Sequence, residues 1–177
     1  EVPNSVGFIG AYAFSGCTGL TEISIPASVN SIGSKAFEGC TGMRNKKVTF
    51  ASKEALCQIT FGDRYANPLY YAHHLYYQND TNEITGLVLS DNVTAISASA
   101  FAGGENIITV TIPANIRQFG ADAFLDCKSL QSVSYASTEH FINMNYDNEY
   151  ASPLKYAKNV TITGVSIATI TINQDIK

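Results

Sequence analysis

The chain has 177 residues, 45% hydrophobic and 15% charged, with a net charge of −4, and its mean hydropathy of +0.02 fits a folded polypeptide. Its Lys and Arg residues are scattered, so no basic stripe offers a footprint for a phosphate backbone, and nucleic acid is excluded as a partner. No apolar run approaches the roughly 20 residues a membrane-spanning helix needs, so no membrane insertion is expected within this chain.

From Pro3 the sequence reads P-N-S-V-G-F-I-G-A-Y-A-F-S-G-C-T-G-L-T-E-I-S-I, and from Pro26 it reads P-A-S-V-N-S-I-G-S-K-A-F-E-G-C-T-G-M. Pro3 to Pro26, Phe14 to Phe37 and Cys17 to Cys40 are each 23 residues apart. A fixed period of this size is the mark of a solenoid, in which each repeat packs only on its neighbours. Short repeats are expected at 3–25, 26–50, 90–112 and 113–135. Two longer irregular modules, 51–89 and 136–167, match each other at an offset of 85, as in Tyr65-Ala66 against Tyr150-Ala151. An insertion at Arg44–Lys47 makes up the difference from the 87-residue offset between Phe14 and Phe101. The unit is short repeat, short repeat, long module, present twice, followed by a C-terminal end at 168–177.

Within each repeat the pattern L-x-x-I-x-I recurs at Leu20/Ile23/Ile25, Ile107/Val110/Ile112 and Leu130/Val133/Tyr135. The long modules end in the same pattern, at Ile84/Leu87/Leu89 and Ile162/Val165/Ile167, and a looser copy at Met43/Val48/Phe50 holds the insertion, making six rungs. Their alternation is that of a strand with one buried face. Stacked at about 4.8 Å, such strands form a parallel sheet. Glu22, Ser24, Thr109, Thr111, Gln131 and Ser134 then face outward as a polar ladder. Pro26 and Pro113 end their strands for want of an N–H. Gly33 and Gly120 are expected to permit a turn. Phe14, Phe37, Phe101 and Phe124 are expected to stack as the central spine.

In the first long module Pro68 suits the first turn of a short helix whose inner face carries Leu69 and Ala72. Positions where the two modules differ are freer to carry function. These include Tyr70, His73, His74, Tyr76 and Tyr77, which face Lys155, Lys158, Asn159, Thr161 and Ile162 in the second copy. Leu75–Tyr77, a polar turn over 78–82, then Glu83-Ile84 read as a projecting hairpin. Tyrosine gives large contact area at low entropy cost. The competing reading has these tyrosines simply covering the extra strand.

The string P-x-S-V-x-x-I-G-x-x-A-F-x-x-C-x-x-L-x-x-I-x-I resembles the BspA-like leucine-rich repeat family. The likeness covers nearly the whole chain, with Gly104 standing where the pattern has cysteine. It implies a mostly β leucine-rich repeat solenoid of about six rungs, with a stacked parallel sheet, short helical turns and two longer irregular modules. It also implies an extracellular or cell-surface protein, bacterial in the common case, secreted or anchored by parts outside this chain. The function implied is binding or adhesion to host or microbial proteins or glycans. The alternative is a structural spacer in a larger surface protein. No catalytic residues come with the resemblance.

The residues themselves offer no enzyme motif: G-x-S-x-G, H-E-x-x-H, P-loop and G-x-G-x-x-G are all absent. Cys17, Cys40, Cys57 and Cys127 include no C-x-x-C pair, so a zinc or redox site is unsupported. Cys17 and Cys40 share a register that permits a disulfide, against the plainer reading of buried thiols. His73, His74 and His140 lack a third metal ligand and read as exposed polar residues. The acidic clusters at 80–83 and 147–149 read as turns, and no cofactor is expected. Asn79, Asn92 and Asn159 head glycosylation sequons that matter only in a secreting eukaryote. The chain opens mid-repeat, so the absence of a leader carries no weight.

Overall fold

The computed structural model describes residues 1–163 and the short strand at 170–171. The chain winds as stacked coils. The first coil carries β1 (Phe8–Ile9) and β2 (Ile23–Ile25), and the second β3 (Ser31–Ile32) and β4 (Lys46–Phe50). The third holds helix α1 (Lys53–Gln58), β5 (Thr60–Phe61), helix α2 (Leu69–Ala72) and β6 (His73–Tyr77). After β7 (Gly86–Val88) the pattern restarts with β8 (Ala95–Ile96) and β9 (Thr109–Ile112), then β10 (Gln118–Phe119) and β11 (Ser132–Tyr135). The last described coil has α3 (Thr138–Ile142), β12 (Asn145–Tyr146) and β13 (Asn159–Ile162), with β14 (Ile170–Thr171) beyond it.

These strands form four sheets. Two are long ladders, β2-β4-β6 and β7-β9-β11-β13-β14, and two are short, β1-β3-β5 and β8-β10-β12. Every pairing is parallel except β13 with β14. Solenoid coils place successive strands in the same direction, so parallel pairing follows from the winding itself. Five of the expected rungs appear as strands. Val165 and Ile167 of the sixth lie outside the described residues. Within the two long modules, β6 and β13 add rungs of their own. The expected hairpin is reduced to a turn bond from the Asp80 N–H to the Tyr77 carbonyl and one described bond between its arms, from the Ile84 N–H to the Leu75 carbonyl at 2.8 Å. His73–Tyr77 pairs parallel with β4 instead, because the coil's winding brings it alongside that strand.

The core fills the coil. Phe37, Phe101 and Phe124 are fully buried. Phe14 is only half-buried, yet stacks on Phe37 at 5.1 Å between ring centres. Phe101 stacks on Phe124 at 5.3 Å. The spine is therefore two pairs rather than a continuous column. The Phe37 N–H bonds to the Tyr65 carbonyl as the Phe14 N–H bonds to Ala36. That register puts Ala66 at the spine position of the third coil, and buried Leu69 supplies bulk on the adjoining helix. Leu69 and Ala72 share the inner face of α2 as expected. Ser52 and Ser137 cap α1 and α3 by accepting the Ala55 and His140 N–H groups.

The glycines have a different role from the expected one. Gly33, Gly62 and Gly120 are not in the left-handed region. A Cβ on each would fall 2.4 Å from the backbone N of Ala11, Ser34 and Ala98 in the coil before. Glycine is required there by close approach of two backbones. Left-handed positions lie elsewhere in the repeat: Tyr12, Lys35, Ser99 and Asp122 share one such register, and Gly16, Gly39, Gly103 and Asp126 another.

His140 corrects another expectation. It is 1% exposed, its Nε2 lies 2.6 Å from the Ile116 carbonyl, and its ring meets Tyr135 edge-on. All four cysteines are free. Cys40 and Cys127 are buried and donate to the carbonyls of Phe14 and Phe101, while Cys17 is exposed. Burial pushes the Cys57 thiol up to about 12 and raises those of Cys40 and Cys127. A thiol reagent at neutral pH is expected to modify Cys17 quickly and the other three only after unfolding, because the thiolate is the reacting form. Equal labelling rates of all four in the native protein would contradict this burial.

Candidate functional site: the ladder face and its seam

Alternation along each strand turns Ile23, Val48 and Leu75 inward and leaves Ser24, Thr49 and Tyr76 as an outward row. Lys47 and His74 form the neighbouring row, with Glu22 beside them. The Lys47 ammonium sits 4.5 Å from the centre of the Tyr76 ring, a favourable approach for a cation over an aromatic face. Glu22, Ser24, Lys47 and Thr49 line a shallow depression of about 230 Å³. On the second ladder Thr109 and Ser132 form one outward row, and Val88, Thr111, Ser134 and Thr161 the next. Ser134 donates from Oγ to Thr111 Oγ1 at 3.1 Å. Gln131 is exposed just before β11, and its carbonyl accepts the N–H groups of Lys158 and Asn159. Of the six ladder residues expected from the repeat, Glu22 and Ser24 stand on the first ladder and Thr109, Thr111, Gln131 and Ser134 on the second.

The aromatic and histidine group does not stay together. Tyr70 lies on α2, edge-on to Tyr65 and Tyr71 with ring centres 5.5 and 5.6 Å away. Its backbone abuts the fourth coil so closely that a Cβ on Gly103 would fall 2.4 Å from the Tyr70 Cα. His73 caps α2 in the left-handed region at φ 65° and places Nδ1 3.2 Å from the Gly103 carbonyl. Thr41, Arg44, Tyr70, Tyr71 and His73 line a groove of about 250 Å³ on that side. His74 is tied down on the ladder side, with Nδ1 2.9 Å from Glu83 Oε1, to which Asn106 also donates at 2.9 Å. Tyr76 faces outward, whereas Tyr77 packs against the core. The Tyr77 hydroxyl is buried with no hydrogen-bond partner, and desolvation lifts it well above the ordinary tyrosine range.

Sequence reasoning missed the residues that join the two halves. Asn67 is fully buried, donates to the carbonyls of Ser99 and Ala100 at 2.8 and 3.0 Å, and accepts the Leu69 N–H. The available signal was Ser152 at the matching place in the second module. Lys47 and Thr49 were also missed, although the Arg44–Lys47 insertion marks the spot. Among the described residues no three His, Cys, Asp or Glu side chains converge as metal ligands, and no helix is long and apolar enough to cross a membrane.

Parallel rungs with inward Leu, Ile and Val and an outward polar ladder define a leucine-rich repeat solenoid. The model of the BspA type leucine rich repeat region matches the chain in 6 copies, over residues 1–64, 46–148 and 73–177, and the chain belongs to that family. BspA-type repeats serve as protein-binding or surface modules. No curated protein matches the chain. Among solved structures it is similar to a leucine rich cell surface protein from Faecalibacterium prausnitzii A2-165, at 22% identity and a TM-score of 0.45. That match covers 83% of this chain and 34% of the other. It is also similar to a leucine rich repeat protein of T. pallidum, at 21% identity and a TM-score of 0.35, covering 89% of this chain and 66% of that one. The chain therefore spans about a third of the first and two thirds of the second.

Proposed function

We propose that the chain is an extracellular binding module of a bacterial surface protein, forming one solenoid unit that contacts a host or microbial protein through its outward ladder. Glycans are the second ligand class that such a polar, hydroxyl-rich face serves. The observation that carries this reading is the outward row Ser24–Thr49–Tyr76 with Lys47 seated on the Tyr76 ring. A rigid aromatic side chain beside a cation is the composition of an interface anchor, where a few residues carry most of the binding energy. The Tyr70 and His73 side of the module extends the surface around the coil edge.

The test is binding of the purified chain to immobilised matrix proteins and glycans, with the doubly substituted Lys47→Ala/Tyr76→Ala chain alongside. The expected result is a saturable partner whose affinity falls by about tenfold or more, roughly 1.4 kcal/mol, in the variant. Its melting temperature should stay close to wild type, since both side chains point outward. Equal binding by the two proteins would remove the ladder from the site. Silence across the panel would favour a spacer, which needs no ligand.

A further inference from the structure

The two long ladders do not run on into each other. β6 pairs only with β4, and β7 only with β9. In a parallel ladder successive residues direct their N–H and C=O groups to alternate sides. The Leu89 N–H bonds to the Thr111 carbonyl, and the Thr85 carbonyl accepts the Thr109 N–H. Thr85, Leu87 and Leu89 therefore face β9, while Gly86 and Val88 point their backbone groups toward β6. On the other side the Gln78 N–H bonds to the Phe50 carbonyl, so Leu75 and Tyr77 point away from β4. The Leu75 and Tyr77 carbonyls are taken by the N–H groups of Ile84 and Asp80. No described backbone group partners the inward-pointing edge of Gly86 and Val88.

Between these strands lies a notch of about 330 Å³, within the range of ligand sites. Its walls are the β7 edge and the first turn of α1, with Gln78 and Asp80 at the rim. Tyr77, Ile84 and Leu87 give it an apolar floor. Glu54 and Asp80 outnumber Lys53 in the lining, so the local charge is negative.

The geometry points to a second binding site: the notch takes an extended peptide of a partner protein, which adds as a strand to the Gly86–Val88 edge. The peptide's main chain bonds to the free N–H and C=O groups of Gly86 and Val88, the usual source of affinity in strand addition. Alternate side chains of a strand point to opposite faces, so one enters the notch. Its stem lies on Tyr77, Ile84 and Leu87, and a Lys or Arg head reaches Glu54 and Asp80. The site lies at the free edge of the second ladder and does not depend on the Lys47–Tyr76 anchor of the first.

Titration with the capped hexapeptide Thr-Val-Lys-Val-Thr-Val tests this. Val88→Pro removes one N–H that faces the notch and is not used in the β7–β9 ladder, so the sheet keeps its bonds. Val88→Ala keeps that N–H. Val88 is 57% exposed, so neither change opens the core. The expected result is saturable binding by wild type, Val88→Ala and Lys47→Ala/Tyr76→Ala, with a loss of about tenfold or more in Val88→Pro. A comparable loss is expected when glutamate replaces lysine in the peptide. Slowed amide exchange at Gly86 and Val88 on adding peptide to the wild type provides the same reading if Val88→Pro folds poorly. Equal binding by Val88→Pro, no saturation of the wild type, or unchanged exchange at Gly86 and Val88 would overturn the proposal. Self-association of the chain abolished by Val88→Pro would assign the edge to a second copy and overturn it too.

Discussion

Gly33→Ala is expected to destabilise the chain by about 3 kcal/mol, the upper end of what overpacking a well-filled interior costs. The added methyl would fall 2.4 Å from the Ala11 nitrogen, 2.8 Å from its Cα and 2.9 Å from the Gly10 carbonyl carbon. All three are backbone atoms, so no side chain can rotate away. The two coils are also joined at this point, by bonds from the Gly33 N–H to the Ile9 carbonyl and from the Tyr12 N–H to the Ser34 carbonyl. Relief of the clash must therefore part the stack. Gly19→Ala is the internal control, because a Cβ there meets nothing within 4 Å. Denaturant midpoints of the two variants measure the difference. Equal midpoints would mean that the coils do not approach as closely as the structure has them.

Phe101→Ala is expected to cost about 3–5 kcal/mol, the transfer term of a large side chain plus the cavity it leaves. Phe101 is fully buried and stacked on Phe124, which in turn meets Phe119 at 5.6 Å. Coils above and below hold the backbone, so the hole cannot close by collapse. Phe14→Ala makes the comparison sharp. Phe14 occupies the same place in the repeat but is only half-buried, so its loss should cost roughly half as much or less. Thermal or denaturant unfolding of both variants decides the matter. A Phe14 effect as large as that of Phe101 would show that burial does not set the energetics of the spine.

Much of this architecture was legible because the solenoid repeats its physics. The 23-residue period names the rungs, and alternation within I-x-I separates inward Ile23 and Ile25 from outward Glu22 and Ser24. Pro68 marked the short helix and its apolar face. What escaped reading depends on contacts between coils that no single repeat contains. His73–Tyr77 lacks the rung signature, yet the winding lays it against Lys46–Phe50. The isoleucine-glycine pair looks like a turn signal in one repeat, and only the neighbouring backbone shows why glycine is needed. His140 has the composition of a surface residue, but the Ile116 carbonyl from the preceding coil draws it inside. The candidate site was half legible. The polar ladder followed from strand periodicity. The dispersal of Tyr70, His73, His74, Tyr76 and Tyr77 over three surroundings did not, because it depends on where the two repeat units meet.

Two parallel ladders meet at a seam with a free strand edge, held together by Asn67 and the backbone of the fourth coil. Amide hydrogen exchange across residues 73–89 of the free protein tests it most directly. Slow exchange is expected at Tyr76, Gln78, Leu87 and Leu89, whose N–H groups lie within the ladders, and fast exchange at Gly86 and Val88. Protection of Gly86 and Val88 equal to that of Leu87 would mean that β6 and β7 pair as one continuous sheet, and would contradict the seam.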